Sequence, residues 1–317
     1  MATYQTYTAI GEREDLSDII YMITPTDTPM LSTIPKTKAT NVYHEWQTDT
    51  LASAAYNKAV EGADGSDITA TPTARKGNYC QISTKTVKVA GTLEAVDKAG
   101  RKSEMAYQMA KVSKEIKRDM ELSLVSSEIA TAGNASTARC AGGIQSWINS
   151  NYDGGSGGSA GSNGTTARTN GTDRTFTETI LKTVIKEVYN SGGDPKVIMA
   201  PATAKVTLSG FAGIAAQRYM APSDAPTTII GAADVYMSDF GTSQVVPNRL
   251  MNGSVESDNG ESVLIIDPDM LATAYLRPFQ TVDLAKTGDA DKKQLLTEWT
   301  LQVNNEAAHG LVGDLTE

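Results

Sequence analysis

The sequence predicts an α+β fold built from thin, extended parts rather than around one thick core. Strand-like alternation recurs near both ends of the chain around a central α/β pattern, and one apolar period is long enough for a very long helix. Two stretches, residues 1–40 and 48–77, do not read as parts of a compact core. Composition agrees, because aromatic residues make up only 6% of the 317 while Thr, Ala, Gly and Ser are abundant. That length suffices for one large domain or two modest ones.

The chain opens with an arm. A short amphipathic segment from Glu12 to Ile23 places Leu16, Ile19, Ile20 and Ile23 at helical spacing and stops before Pro25. Pro29 and Pro35 follow in TPTDTPMLSTIPK, a density of proline that blocks both helix and sheet interiors. Such a segment gains order by lying on something else.

Alternation in NVYHEWQ, residues 41–47, marks a strand, and NYCQISTKTVKV, residues 78–89, marks the next. About thirty patternless residues between them are too many for an ordinary loop. Paired flanking strands would make a long hairpin projecting from the body, one that needs a neighbouring molecule to rest on.

Then comes the longest helix expected, about residues 103–132. Ser103 is its N-cap, with Met105, Met109, Val112, Ile116, Met120 and Leu124 along one face. Lys111/Glu115 and Lys117/Glu121 pair on the other side, and Gly133-Asn134 closes it. The methionines read as gap-fillers of a helix lying along a sheet, not as a cofactor stripe.

Residues 153–166, DGGSGGSAGSNGTT, read as a flexible surface insertion. Gly155, Gly157 and Ala160 loosely satisfy a dinucleotide pattern, but no strand precedes them and no helix starts on them. A capping box from Thr175 to Glu178 opens a second helix carrying Ile180, Leu181, Val184, Ile185 and Val188, which stops at Gly192-Gly193. The strand KVIMA, a helix led by Pro201 and the buried strand VLIIDP complete an α/β unit over about residues 175–265. Strands near 271–284 and 294–304, joined by KTGDADK, form a final antiparallel pair.

Chemistry is sparse. A formal net charge of −9 argues against specific nucleic-acid binding, which needs clustered Lys and Arg. Cys80 and Cys140 fit neither a disulfide framework nor a metal site. His44 and His309 are the only histidines, and neither has a partner at ligand spacing. Asp267-Pro268-Asp269 reads as turn chemistry rather than a carboxylate pair. No GxxxxGK[ST] or HExxH motif occurs, no apolar run approaches a membrane span, and MATYQTYTAIGERED is not a signal peptide. The expectation is therefore an assembly subunit, not an enzyme, with no catalytic, cofactor-binding or metal-binding residue.

The order of these elements resembles the phage capsid fold named after Hong Kong 97. VYHEWQTDTL, GNYCQISTKTVKVAGTLEAVDKAGRKSEMAYQMAKVSKEIKRDMELSL, FGTSQVVPNR and LRPFQTVDLAKTGDADKKQLLTEWTLQVNNEAAHG are similar to tailed-phage head proteins. The resemblance implies an N-terminal arm (1–40), an E-loop (41–92), a P-domain (93–139) with its spine helix, an A-domain (140–265) and closing P-domain strands (266–317).

The same resemblance implies hexamers and pentamers forming an icosahedral head around double-stranded DNA, within a virion assembled in the host bacterial cytoplasm. The E-loop would lie over the adjacent subunit. A separate scaffold protein, a portal protein and a decoration protein are the further partners implied, with no membrane. Packaged DNA would be near the shell non-specifically, and with a net charge of −9 an inner wall without basic clusters would let it slide. Side-chain cross-linking, known in some relatives, is not carried over to Lys58 and Asn57. An encapsulin-type nanocompartment shell uses the same fold and is the alternative; an enzyme with an unread site is a third reading.

Overall fold

The computed structural model describes residues 24–211, 234–253 and 261–316, apart from Ala63, Ser66 and Ile68. The expected helix from Glu12 to Ile23 therefore lies outside the described residues. The described arm carries one helical turn, α1 (Pro29–Thr33), led by proline where a helix tolerates it, and a short strand, β1 (Lys36–Lys38). The hairpin strands are β2 (Tyr43–Thr48) and β3 (Ala74–Tyr79); β4 (Gln81–Ala90) and α2 (Gly91–Ala95) lead to the long helix α3 (Glu104–Val125). Next come α4 (Ile144–Trp147), β5 (Tyr152–Asp153), α5 (Glu178–Asn190), β6 (Val197–Ala200) and α6 (Ala202–Ser209). The strands described after α6 are β7 (Val235–Ser238), β8 (Gly241–Pro247), β9 (Val263–Ile266), β10 (Leu271–Leu284), β11 (Ala290–Val303) and β12 (Gly310–Val312).

The described strands form three sheets. A four-stranded sheet in the order β1-β10-β11-β4 lies against α3, a six-stranded sheet runs β5-β12-β9-β6-β8-β7, and β2-β3 pair alone. The ladder of β10 with β11 shifts register around Pro278, which cannot donate to it and lies beyond the reach of β1. Both faces of the six-stranded sheet are covered. In β9, Leu264 and Ile266 enter one core with α3, Trp147 and Trp299, while Val263 and Ile265 enter the other with α5 and α6. That two-sided burial is why VLII shows no polar alternation. The second core takes Leu181, Val184, Ile185 and Val188 of α5, as their spacing predicts.

The structure corrects several local expectations. Ser103 does cap α3, accepting from the Ala106 amide, but the helix ends at Val125 rather than near Gly133. Ser126 turns to extended backbone, and Gln145 takes the terminal carbonyls, its side chain donating to Val125 O at 2.7 Å and its amide to Ser126 O at 3.2 Å. Twenty-two residues give a helix of about 33 Å. Gly133 (φ +68°) instead shapes a turn between the bridged residues Thr131 and Cys140. The cap of α5 is Thr177, not Thr175.

Residues 78–89 are not one strand. The chain pairs with β2 as far as Tyr79, passes through buried Cys80, and joins β11 from Gln81 onward. Nor is the Gly/Ser stretch 153–166 a loose insertion. Ser159 bridges to Thr169 and Ser162 to Thr166, and Gly161 and Gly164 are buried. A Cβ on Gly164 (φ +68°) would lie 2.6 Å from Trp147, so the glycine content serves close approach rather than mobility. The pocket beneath holds Arg168 and Asp314, with both side chains fully buried and 3.6 Å apart.

Candidate functional site

Two features set this molecule apart from an ordinary enclosed domain, a seated arm and a projecting hairpin. The arm seat is built on α3. Met30, Leu31 and Ile34 enter the core beside Val112, Ile116 and Met120, each such side chain contributing about 1.5–3 kcal/mol of apolar burial. Between them stands Glu121, fully buried. Its Oε1 accepts from the Met30 amide at 2.7 Å and from Asn248 Nδ2 at 2.7 Å, and its Oε2 accepts from the Leu31 amide at 2.8 Å. These bonds satisfy the otherwise unpaired amides at the start of α1. Burial pushes the Glu121 carboxyl up to about 7, against the pull of the Leu31 and Met30 amides and of Asn248. Glu121 was expected to pair outward with Lys117; it faces inward instead, one position from the Met120 and Leu124 stripe. A carboxylate so close to an apolar stripe was the signal available in the sequence.

The hairpin is riveted at its base and bare at its tip. Asn78, fully buried, donates to Leu301 O at 2.8 Å and Gly142 O at 3.2 Å and accepts from the Gly142 amide at 2.9 Å. His44 Nε2 meets Gln302 Oε1 at 2.9 Å, and the Trp46 ring packs 5.4 Å from that of Trp147. Sequence reasoning did not single out Asn78, because its partners lie far along the chain. Beyond the rivet, every described residue from 49 to 75 is exposed. Leu51, Tyr56 and Val60 are 98%, 95% and 80% exposed, an apolar display that marks an interaction surface rather than a folded loop. Lys58 lies over the Tyr56 ring at 5.6 Å, within the same loop.

Of the sequence candidates for chemistry, the structure brings His309 and Asp267 together. His309 is fully buried, its Nδ1 accepting from the Asp267 amide at 3.3 Å, and burial lowers its pKa to about 3. Asp267 caps a short 3-10 turn through the Asp269 amide. Burial pushes the Cys80 thiol up to about 11, and the Cys140 thiol lies 3.3 Å from Glu128 Oε2. Gly155 and Gly158 pack against Thr172 and Asp314. Among the described residues no group of three or more His, Cys, Asp or Glu is placed to hold a metal ion, and no helix is long and apolar enough to cross a membrane.

Comparison with known proteins places this geometry. A family model described as SU10 major capsid protein matches residues 2–316. The major capsid protein of Escherichia phage Phieco32 is 37% identical over 129 residues, which is 40% of this chain and 37% of that protein's own length. Among solved structures, the capsid asymmetric unit of cyanophage A-1(L) superposes with a TM-score of 0.70 at 13% identity, covering 96% of this chain and 98% of that one. A chain of Mycobacterium phage Bobi gives 0.61 at 11% identity, covering 96% of each. An encapsulin complex from Synechococcus elongatus gives 0.55 at 10% identity, covering 96% of this chain and 92% of that one. These likenesses establish the Hong Kong 97-type α+β fold.

Proposed function

The chain belongs to the SU10 major capsid protein family, and from that membership we propose that copies of it close into hexamers and pentamers that tile an icosahedral head around double-stranded DNA. The family match over residues 2–316 carries the reading. The exposed display of Leu51, Tyr56 and Val60 supports it, because a surface of that kind is expected to find cover on a second copy. The encapsulin likeness is one of fold alone and favours no second reading.

In this proposal residues 1–40 are the arm, and the E-loop centres on the β2-β3 hairpin within residues 41–92. The P-domain comprises residues 93–139 with α3 and the closing strands of 266–317, and the A-domain spans 140–265. The subunit acts in the virion after assembly in the host cytoplasm. A separate scaffold protein, a portal protein and a decoration protein complete the set of partners. No catalytic, metal or cofactor site is assigned.

The test is assembly of the full chain, followed by electron microscopy and sedimentation velocity. The intact protein is expected to give closed shells or capsomers. A variant with residues 50–72 replaced by a short Gly-Ser turn is expected to keep its circular dichroism spectrum and stay unassembled. A compact wild-type monomer under all assembly conditions would count against the proposal.

A further inference from the structure

Glu121 is a buried carboxylate held, among the described residues, without a cation. Its partners are two backbone amides and one side-chain amide, and all three are neutral donors. Among the described residues no charged group on the packed elements forms an ion pair with it, although Arg118 Nε is buried three positions earlier on α3. Lys117 on α3 is exposed, Arg118 is half-exposed, and Asp27 on the arm pairs in solvent with Arg249, the residue following Asn248, at 3.8 Å. Among the described residues no charge contributes to the displacement of its titration. An isolated carboxylate taken out of water is relieved chiefly by taking up a proton.

The two oxygens are not equivalent. Oε1 accepts twice, as a carbonyl oxygen does, while Oε2 accepts once and is the oxygen with room for a proton. The donors come from two separate places, the arm and the segment after β8, so two of the three hydrogen bonds to the carboxylate are made only while the arm lies on α3.

We propose that the arm seat is a proton-linked clasp: segment 28–34 docks as Glu121 takes up a proton from solvent, so docking tightens as pH falls below neutrality and loosens as pH rises. The sign follows from linkage. The docked carboxyl titrates near 7, above the ordinary 4.5 of a solvated one, so the docked state binds the extra proton between those values. Docking strength is fully present below about 4.5 and is lost as pH rises to about 7, at roughly tenfold per pH unit. For a shell subunit, this makes the arm's attachment adjustable near neutrality without any change in the sheets.

Hydrogen–deuterium exchange on the full-length protein tests the clasp, with protection of segment 28–34 corrected for the intrinsic pH dependence of exchange. Wild-type protection is expected to fall by at least tenfold between pH 5 and 7 and then level off. Glu121→Gln is expected to abolish the slope. Asn248→Ala removes one donor that favours the charged form, so its decline is expected to extend to higher pH. A flat wild-type profile would overturn the proposal, and so would a slope retained in Glu121→Gln. Should Glu121→Gln fail to seat the arm at any pH, the Asn248→Ala profile decides, and an unshifted end point sinks the idea.

Discussion

Asn78 and Gly164 show how much of this structure depends on single side chains that a sequence barely announces. Asn78 pairs the Gly142 amide and the Leu301 and Gly142 carbonyls, all in a buried setting. Asn78→Ala strands these groups and is expected to destabilise the subunit by about 3 kcal/mol, read as a lower denaturation midpoint. Gly164→Ala meets both a left-handed backbone and the Trp147 ring, and is expected to cost about 2–3 kcal/mol by the same measurement. Composition alone suggested a flexible run at 153–166. A Gly-rich sequence looks the same whether its glycines supply freedom or close approach, and only the position of Trp147 tells the two apart.

At the scale of elements, periodicity was a good guide and boundaries were not. The faces of α3 and α5, the buried run of β9 and the β10-β11 pair were all legible, because burial imposes a period that survives in one sequence. The end of α3 was not, since Gln145, a residue beyond the helix, takes its last carbonyls. Likewise, the break at Cys80 turns on which partner strand the chain meets, β2 before it and β11 after it. The hairpin's direction is therefore set at its base, where Trp46 packs on Trp147. Trp46→Ala is expected to cost about 2 kcal/mol, since the ring is half-buried, and to lower shell yield at permissive temperature more than it lowers helicity. Light scattering during assembly, set beside circular dichroism, separates the two effects.

For the whole molecule, Glu121 and His309 titrate against each other. Neither histidine nor carboxylate could be assigned this part from sequence, because each depends on full burial by segments distant in the chain. His309, with its pKa lowered from 6.5 to about 3, binds fewer protons folded than unfolded between those values. Its contribution is present above about 6.5 and lost as pH falls toward 3. Glu121, raised from 4.5 to about 7, works in the opposite sense, with its contribution present below about 4.5 and lost as pH rises toward 7. Between about 4.5 and 6.5 the two slopes oppose and nearly cancel, so this pair leaves stability flat there and falling in more acid solution. Removing one group exposes the other. The stability difference between Glu121→Gln and wild type is expected to rise with pH across that window, and that for His309→Gln to fall. Denaturant titrations of wild type and both variants from pH 4 to 8 measure these differences directly, and parallel profiles for all three would refute the pairing.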